Sequence, residues 1–283
     1  MSQDRKELAI RPSLDSAQAE GNLSAGTRRL LESPTVMRAM ALAGGLPADQ
    51  MRGDRILLVT ILADDSDSLN VKKDHLGRII GALPKDPQSN AEAIRMGQRT
   101  VIDALRNSPD PAAVHISTQG FNSGVIQPYA PLSEAITLST ENFLAAGGTP
   151  LHSRSLEVFG TVLVKSQEIT DEWKTVNTAT LIMSDGGNND RESAQNVAKV
   201  VTDLRATGKH LVAAYGINDG YTDFVRVFTE MGIDPKWILT SESSQRDIQK
   251  ALGAFADVAS KATDEQQFTR LMLGPGFQGL AKQ

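Results

Sequence analysis

After its first residue, the run Arg55 to Ala63 (RILLVTILA) is apolar, broken by Thr60 alone, and it ends abruptly in Asp64-Asp65-Ser66-Asp67-Ser68. A strand this apolar has no polar face to turn to water. It must be covered on both sides, which is the position of a central strand in a parallel sheet with helices above and below. The acidic and hydroxyl residues that follow then form a loop at the strand's carboxyl end, where open α/β sheets bind ligands.

The rest of the chain alternates in the same sense from Arg55 onward. Helical spacing is read over Ala91–Leu105, Leu151–Lys165, Glu192–Ala206, Thr222–Met231 and Ser244–Ala259, and strands over Ala179–Ser184, His210–Gly216 and Trp237–Thr240. Ala113–Thr118 and Gly124–Ala130 flank a turn at Gln119–Ser123 and read as an antiparallel edge. The pattern predicts an α/β fold: a doubly wound, Rossmann-like three-layer sandwich with a mainly parallel central sheet and one antiparallel edge strand. Residues 1–53 lack strand patterning and read as an N-terminal arm with one helix over Ser24–Leu42, interrupted at Ser33-Pro34; 54–261 form the domain and 262–283 a tail. Leu69 to Asn90 resists the scheme, because Pro84 and Pro87 follow the cluster Leu76, Ile79, Ile80 and Leu83, and it reads as a helical turn and a loop.

Composition narrows the function. A net charge of −5, with no basic cluster beyond Lys72-Lys73, argues against nucleic-acid binding. The absence of cysteine excludes disulfides, thiol catalysis and Cys-based zinc sites. No apolar signal-peptide core follows Met1–Glu7, and the most apolar run, Ile56–Ala63, is far shorter than the about 20 residues a spanning helix needs. The expectation is a cytoplasmic protein that does not enter a membrane.

Three hydrophilic clusters fall where loops meet the same end of the sheet: Asp64–Ser68, Gly147-Gly148-Thr149-Pro150-Leu151 and Ser184-Asp185-Gly186-Gly187. They are rich in oxygen and free of soft ligands. A hard cation such as Mg²⁺ takes about six oxygens in a near-octahedral shell, partly from water. The i, i+2, i+4 spacing of Asp64, Ser66 and Ser68 turns alternate side chains to one side, and Thr149 and Asp185 can close the ring from neighbouring loops.

Asp-x-Ser-x-Ser, a distant Thr, then Asp-Gly after an apolar strand resembles the metal-ion-dependent adhesion site of von Willebrand factor A-type domains, over about residues 55 to 260. The resemblance extends to Gly147–Leu151 and to Ala214-Tyr215-Gly216-Ile217 before a helix. It implies a non-catalytic, protein-binding adaptor or assembly subunit holding Mg²⁺, or Mn²⁺ or Ca²⁺ in its place. Ser66, Ser68 and Thr149 would ligate directly, Asp64 and Asp185 through water, and one position would be left for a partner's Glu or Asp. An AAA+ ATPase or another subunit of a bacterial complex is the partner class implied, and the last helix, Ser244–Ala259, would shift on ligation. Asp67, His152 and Asn188 are candidates for a partner-binding rim. The extra Asp65 and Asp67 depart from the family pattern; they either face solvent or add charge that weakens carboxylate capture or recruits a second cation.

A second reading uses Asp65 as nucleophile and Asp67 as acid of a haloacid dehalogenase-like, Mg²⁺-dependent phosphatase, with Thr118 and Lys165 in support. It leaves Gly147–Leu151 without a role. A third is a scaffold of the same fold that binds no metal. His75, His115, His152 and His210 show no zinc spacing, and Gly186-Gly187 lies in no phosphate-binding motif. Asn188–Glu192 is read as capping the helix that follows it.

Overall fold

The computed structural model describes residues 3–73, 79–82, 90–217, 219, 221–240, 245–260 and 276–277. Three helices, α1 (Gln3–Ala19), α2 (Ala25–Leu31) and α3 (Pro34–Ala43), precede the central strand β1 (Arg55–Ala63). A hairpin of β2 (Val71–Lys73) and β3 (Ile79–Ala82) leads to α4 (Asn90–Arg106), then β4 (Val114–Gly120) and β5 (Gly124–Pro131). The long helix α5 (Leu151–Asp171) is followed by β6 (Thr175–Ser184), α6 (Ala194–Ala206), β7 (His210–Gly216), α7 (Phe224–Glu230), β8 (Ile238–Thr240) and α8 (Gln245–Ser260).

The main sheet runs β5-β4-β1-β6-β7-β8, and only β5 is antiparallel. β1 lies between β4 and β6, with Val59 opposite Ile116 on one side and Ala179 on the other. Every residue of β1 after Arg55 is buried, as the apolar run demands. Alternate side chains divide between the faces: Leu57, Val59, Ile61 and Ala63 share a core with α4 and α8, while Leu62 joins the core under α5 and α6. The chain steps from β1 to β4 on one side and later to β6 on the other, so the strand order reverses at β1. The carboxyl ends of β1 and β6 flank that point.

Helix α5 explains the N-terminal segment. From Ser155 to Gln167 every residue of α5 is buried; a helix apolar on one stripe only would leave its outer side wet. α1, α2 and α3 cover that outer side, placing Leu14, Leu31 and Met40 in one core with Phe159 and Val162. The break at Ser33-Pro34 is present, with Pro34 starting α3. α1 was not expected: Ile10, Leu14 and Ala17 make one apolar face, but Pro12 lies inside the helix and blurs the signal.

Other boundaries shift for the same reason, burial of polar residues. α5 continues past Lys165 because Ser166, Gln167 and Ile169 are buried, and β6 begins at Thr175 because Asn177 and Thr178 are buried in the sheet. Within Leu69–Asn90, the expected helical turn is corrected: Ile79 and Ile80 lie in β3, which pairs with β2, Val71 opposite Ala82, while the 3₁₀ turn of this region is Asp67–Asn70, at the start of the stretch. β-branched Val71, Ile79 and Ile80 favour the strands. Leu76, Leu83, Pro84 and Pro87 lie outside the described residues, as does the tail except for Gly276 and Phe277, whose ring meets Trp237 edge-on at 5.5 Å. Among the described residues no helix is long and apolar enough to cross a membrane.

Candidate metal centre

The backbone N–H of Asp64 donates to the Met183 carbonyl at 2.8 Å, extending the β1–β6 ladder beyond the last paired residue. That one bond sets the loop after β1 beside the loop after β6. The third loop joins through Asp67, whose N–H donates to the Gly147 carbonyl at 3.0 Å, and through Ala146, whose N–H donates to the Asp65 carbonyl at 2.7 Å. Gly147 has φ +84°, and a Cβ there would lie 2.7 Å from Asn122 Oδ1, so the approach of the loops requires glycine.

The side chains meet inside this frame. Asp64 is wholly buried; its Oδ1 accepts the Ser66 N–H at 2.9 Å and its Oδ2 accepts the Ser184 hydroxyl at 2.6 Å and the Asp185 N–H at 3.3 Å. Ser66 and Ser68 share a hydroxyl contact of 2.7 Å, and Ser68 Oγ donates to Asp185 Oδ1 at 2.6 Å. Asn90 Nδ2 donates to Asp185 Oδ2 at 3.0 Å. Thr149 enters opposite Gly186: a methyl group on that glycine would lie 3.5 Å from Thr149 Oγ1 and 4.0 Å from Ser68 Oγ. The structure therefore brings Asp64, Ser66, Ser68, Thr149 and Asp185 to one place.

Electrostatically, Asp64 sits where its charge is disfavoured. Burial, reinforced by the charge of Asp185, pushes the Asp64 carboxyl up to about 6 despite its bonds from Ser184 and Ser66. No Lys or Arg among the described residues pairs with Asp64. Two buried carboxylates side by side are costly unless a cation or a proton offsets them. Among the described residues there is no metal-competent group of three or more His, Cys, Asp or Glu; three neutral hydroxyls and two carboxylates make up the set. An all-oxygen set of this kind fits Mg²⁺, Mn²⁺ or Ca²⁺ and not a soft metal.

The rim residues fare differently. Asp67 is exposed. His152 Nδ1 is 2.9 Å from the Glu192 carbonyl, and Asn188 Oδ1 accepts the His152 N–H at 3.1 Å, so both are committed to holding loops together. The capping expectation for Asn188–Glu192 is corrected. Ser193 caps α6 by accepting the Asn196 N–H, whereas Asn188 and Asp190 accept the His152 and Ser153 N–H groups in the first turn of α5. Asp65 does not face solvent. It is fully buried, with its carboxylate turned from the cluster to accept from the N–H groups of Asn122 and Ser123 and from the Ser123 hydroxyl.

That placement disfavours the phosphatase reading. Asp65 is spent on the β4–β5 turn, Thr118 Oγ1 accepts from Gln98 at 3.4 Å, and Lys165 donates to the Leu46 carbonyl and Glu168. Sequence reasoning missed Ser184, Asn189 and Asn90. Ser184 stood in the third hydrophilic cluster and Asn189 in the stretch read as a helix cap, both without a role at the site, and nothing in the pattern around Asn90 marks it.

Fold and cluster together define a doubly wound α/β domain whose central strands end in an acidic, hydroxyl-rich cluster. No protein-family model matches the sequence, and no curated protein matches it. Among solved structures the chain is similar to proximal thread matrix protein 1 from the mussel byssus (12% identity, TM-score 0.45, covering 74% of this chain and 47% of that one). It is also similar to the VWA domain of SpRpn10 (10% identity, TM-score 0.44, covering 68% and 93%) and to a von Willebrand factor type A protein from Catenulispora acidiphila (12% identity, TM-score 0.46, covering 74% and 43%). The chain spans less than half the length of the mussel and Catenulispora chains.

Proposed function

We propose that this protein is a divalent-cation-dependent binding module that captures a carboxylate of a protein partner. The observation that carries the reading is the buried pair Asp64 and Asp185, ringed by the hydroxyls of Ser66, Ser68 and Thr149. Ser66, Ser68 and Thr149 would hold the ion directly, and Asp64 and Asp185 would hold it directly or through water. Neutral hydroxyls leave the cation short of negative charge. A partner's Glu or Asp then completes both coordination and charge.

The residues around the ion act as positioning groups: Ser184 and the Ser66 N–H fix the Asp64 carboxylate, and Asn90 orients Asp185. In this reading the chain does no chemistry on its partner and works as an adaptor or assembly subunit. A subunit of an AAA+ ATPase assembly is the partner class suggested by the adhesion-site resemblance. The deciding experiment is affinity capture from native lysate with Mg²⁺, with chelator, and with Asp64→Ala and Thr149→Ala. We expect partners in the first condition only. An identical set of captured proteins in all four rules out the metal bridge.

A further inference from the structure

A cavity of about 1290 Å³ lies at the opposite end of the sheet from the acidic cluster. It opens between α1, α3, the edge strand β5 and the second half of α5. Its walls are largely apolar, with Ile10, Met40, Leu42, Tyr129, Leu132 and Val164 among them. The size exceeds the roughly 300–1,000 Å³ of most small-molecule sites.

Lys165 and His115 are among the buried polar side chains that line this apolar space, and they differ in one respect. Lys165, 2% exposed, is already satisfied by the Leu46 carbonyl and by Glu168, which balances its charge. His115, also 2% exposed, is not. Its Nδ1 lies 3.4 Å from the Ala113 carbonyl, while Nε2 has no hydrogen-bond partner among the described residues. A carbonyl can only accept, so the proton sits on Nδ1 and Nε2 presents a bare lone pair. Burial, with Lys165 and Lys174 nearby, lowers the pKa of His115 and keeps the ring neutral. Nε2 faces the cavity, so a ligand that fills this space and displaces water must supply a donor itself or leave the acceptor unpaired.

We propose that this cavity binds a small apolar molecule ending in a hydroxyl, which donates to His115 Nε2 while its hydrocarbon body lies along Met40, Tyr129 and Val164. The chemistry is selective. A carboxylate offers His115 no hydrogen, and an ether offers none.

The test uses the full chain and two isomers, 1-octanol and 1-methoxyheptane, with octanoate as a third probe, titrated by calorimetry or ligand-observed NMR. We expect saturable binding of 1-octanol, roughly 3- to 10-fold tighter than the ether, the range one hydrogen bond gives. His115→Phe should abolish that preference. Ala112→Trp, at an exposed lining position, should weaken both probes without touching the core. The proposal is overturned if 1-octanol does not saturate, if the ether or octanoate binds wild type as tightly, or if His115→Phe keeps the preference. Should His115→Phe fail to fold, the isomer comparison on wild type and the Ala112→Trp titration still decide.

Discussion

Thr149 and Asn189 hold each other by a reciprocal pair of hydrogen bonds: the Thr149 N–H donates to Asn189 Oδ1 at 2.9 Å, and the Asn189 N–H donates to the Thr149 carbonyl at 3.0 Å. The residue from the loop before α5 is thereby fixed to the loop after β6. If Thr149 ligates a cation, Asn189 sets its position without touching the ion. Asn189→Ala is therefore expected to weaken Mg²⁺ affinity by about 10- to 100-fold, the usual effect of losing a group that orients a ligand. Calorimetric titration with Mg²⁺ checks this, and an unchanged affinity in a folded variant would remove Thr149 from the ligand set.

Asp64 gives a prediction of opposite signs in two conditions. Its carboxyl is pushed up to about 6 by burial and by Asp185, so the metal-free fold disfavours its charge. Asp64→Asn keeps the shape and removes the charge. We expect it to stabilise the metal-free protein at neutral pH, by up to on the order of 2–3 kcal/mol, and to abolish the rise in melting temperature that saturating Mg²⁺ produces in wild type. Thermal melts with EDTA and with Mg²⁺ check both halves. A variant that melts lower than wild type in EDTA contradicts the charge argument.

The apolar run of β1 and the three oxygen-rich clusters were legible because each is written locally: a strand buried on both faces must be apolar, and polar residues must then gather at its end. What stayed hidden depends on neighbours distant in sequence. Asp65 is the clearest case. The alternation that turns Asp64 and Ser66 to one side turns Asp65 to the other, but the N–H groups waiting there belong to Asn122 and Ser123, fifty-seven and fifty-eight residues on. The polar ends of α5 and β6 read as loop because their cover comes from the N-terminal helices and neighbouring strands. Asn188 and Asp190 stand next to α6 in the chain yet cap α5 in space.

The two extra acidic residues of the first loop should now behave unlike each other. Asp65 is buried and accepts at least three hydrogen bonds from the β4–β5 turn, and a Cβ on Gly120 would lie 2.6 Å from its Oδ2. Asp65→Ala strands those donors and is expected to cost about 2–4 kcal/mol. Asp67 is exposed, and Asp67→Ala should change stability by less than about 0.5 kcal/mol. Urea denaturation of the two variants separates them. Equal effects would mean that Asp65 is not the brace between β1 and the β4–β5 turn.

His210 supplies the pH dependence. It is buried at the start of β7, its Nδ1 lies 2.7 Å from Thr178 Oγ1, and burial, followed by the charge of Lys209, pulls its pKa from 6.5 down to about 3. Between those values the unfolded chain binds a proton that the folded chain does not, so the unfolded state gains as the pH falls. The contribution is absent above about 6.5, grows as the pH drops through the window, and levels off near 3. Asp64 acts with the other sign in the metal-free protein, because a raised carboxyl pKa makes the fold less stable as the pH rises toward 6. Saturating Mg²⁺ removes that opposing effect if the ion occupies the cluster. With Mg²⁺ present, wild type is expected to lose stability between pH 7.5 and 5, and His210→Gln to lose less, as followed by urea denaturation at each pH. Parallel losses in the two proteins would assign the acid sensitivity to other groups.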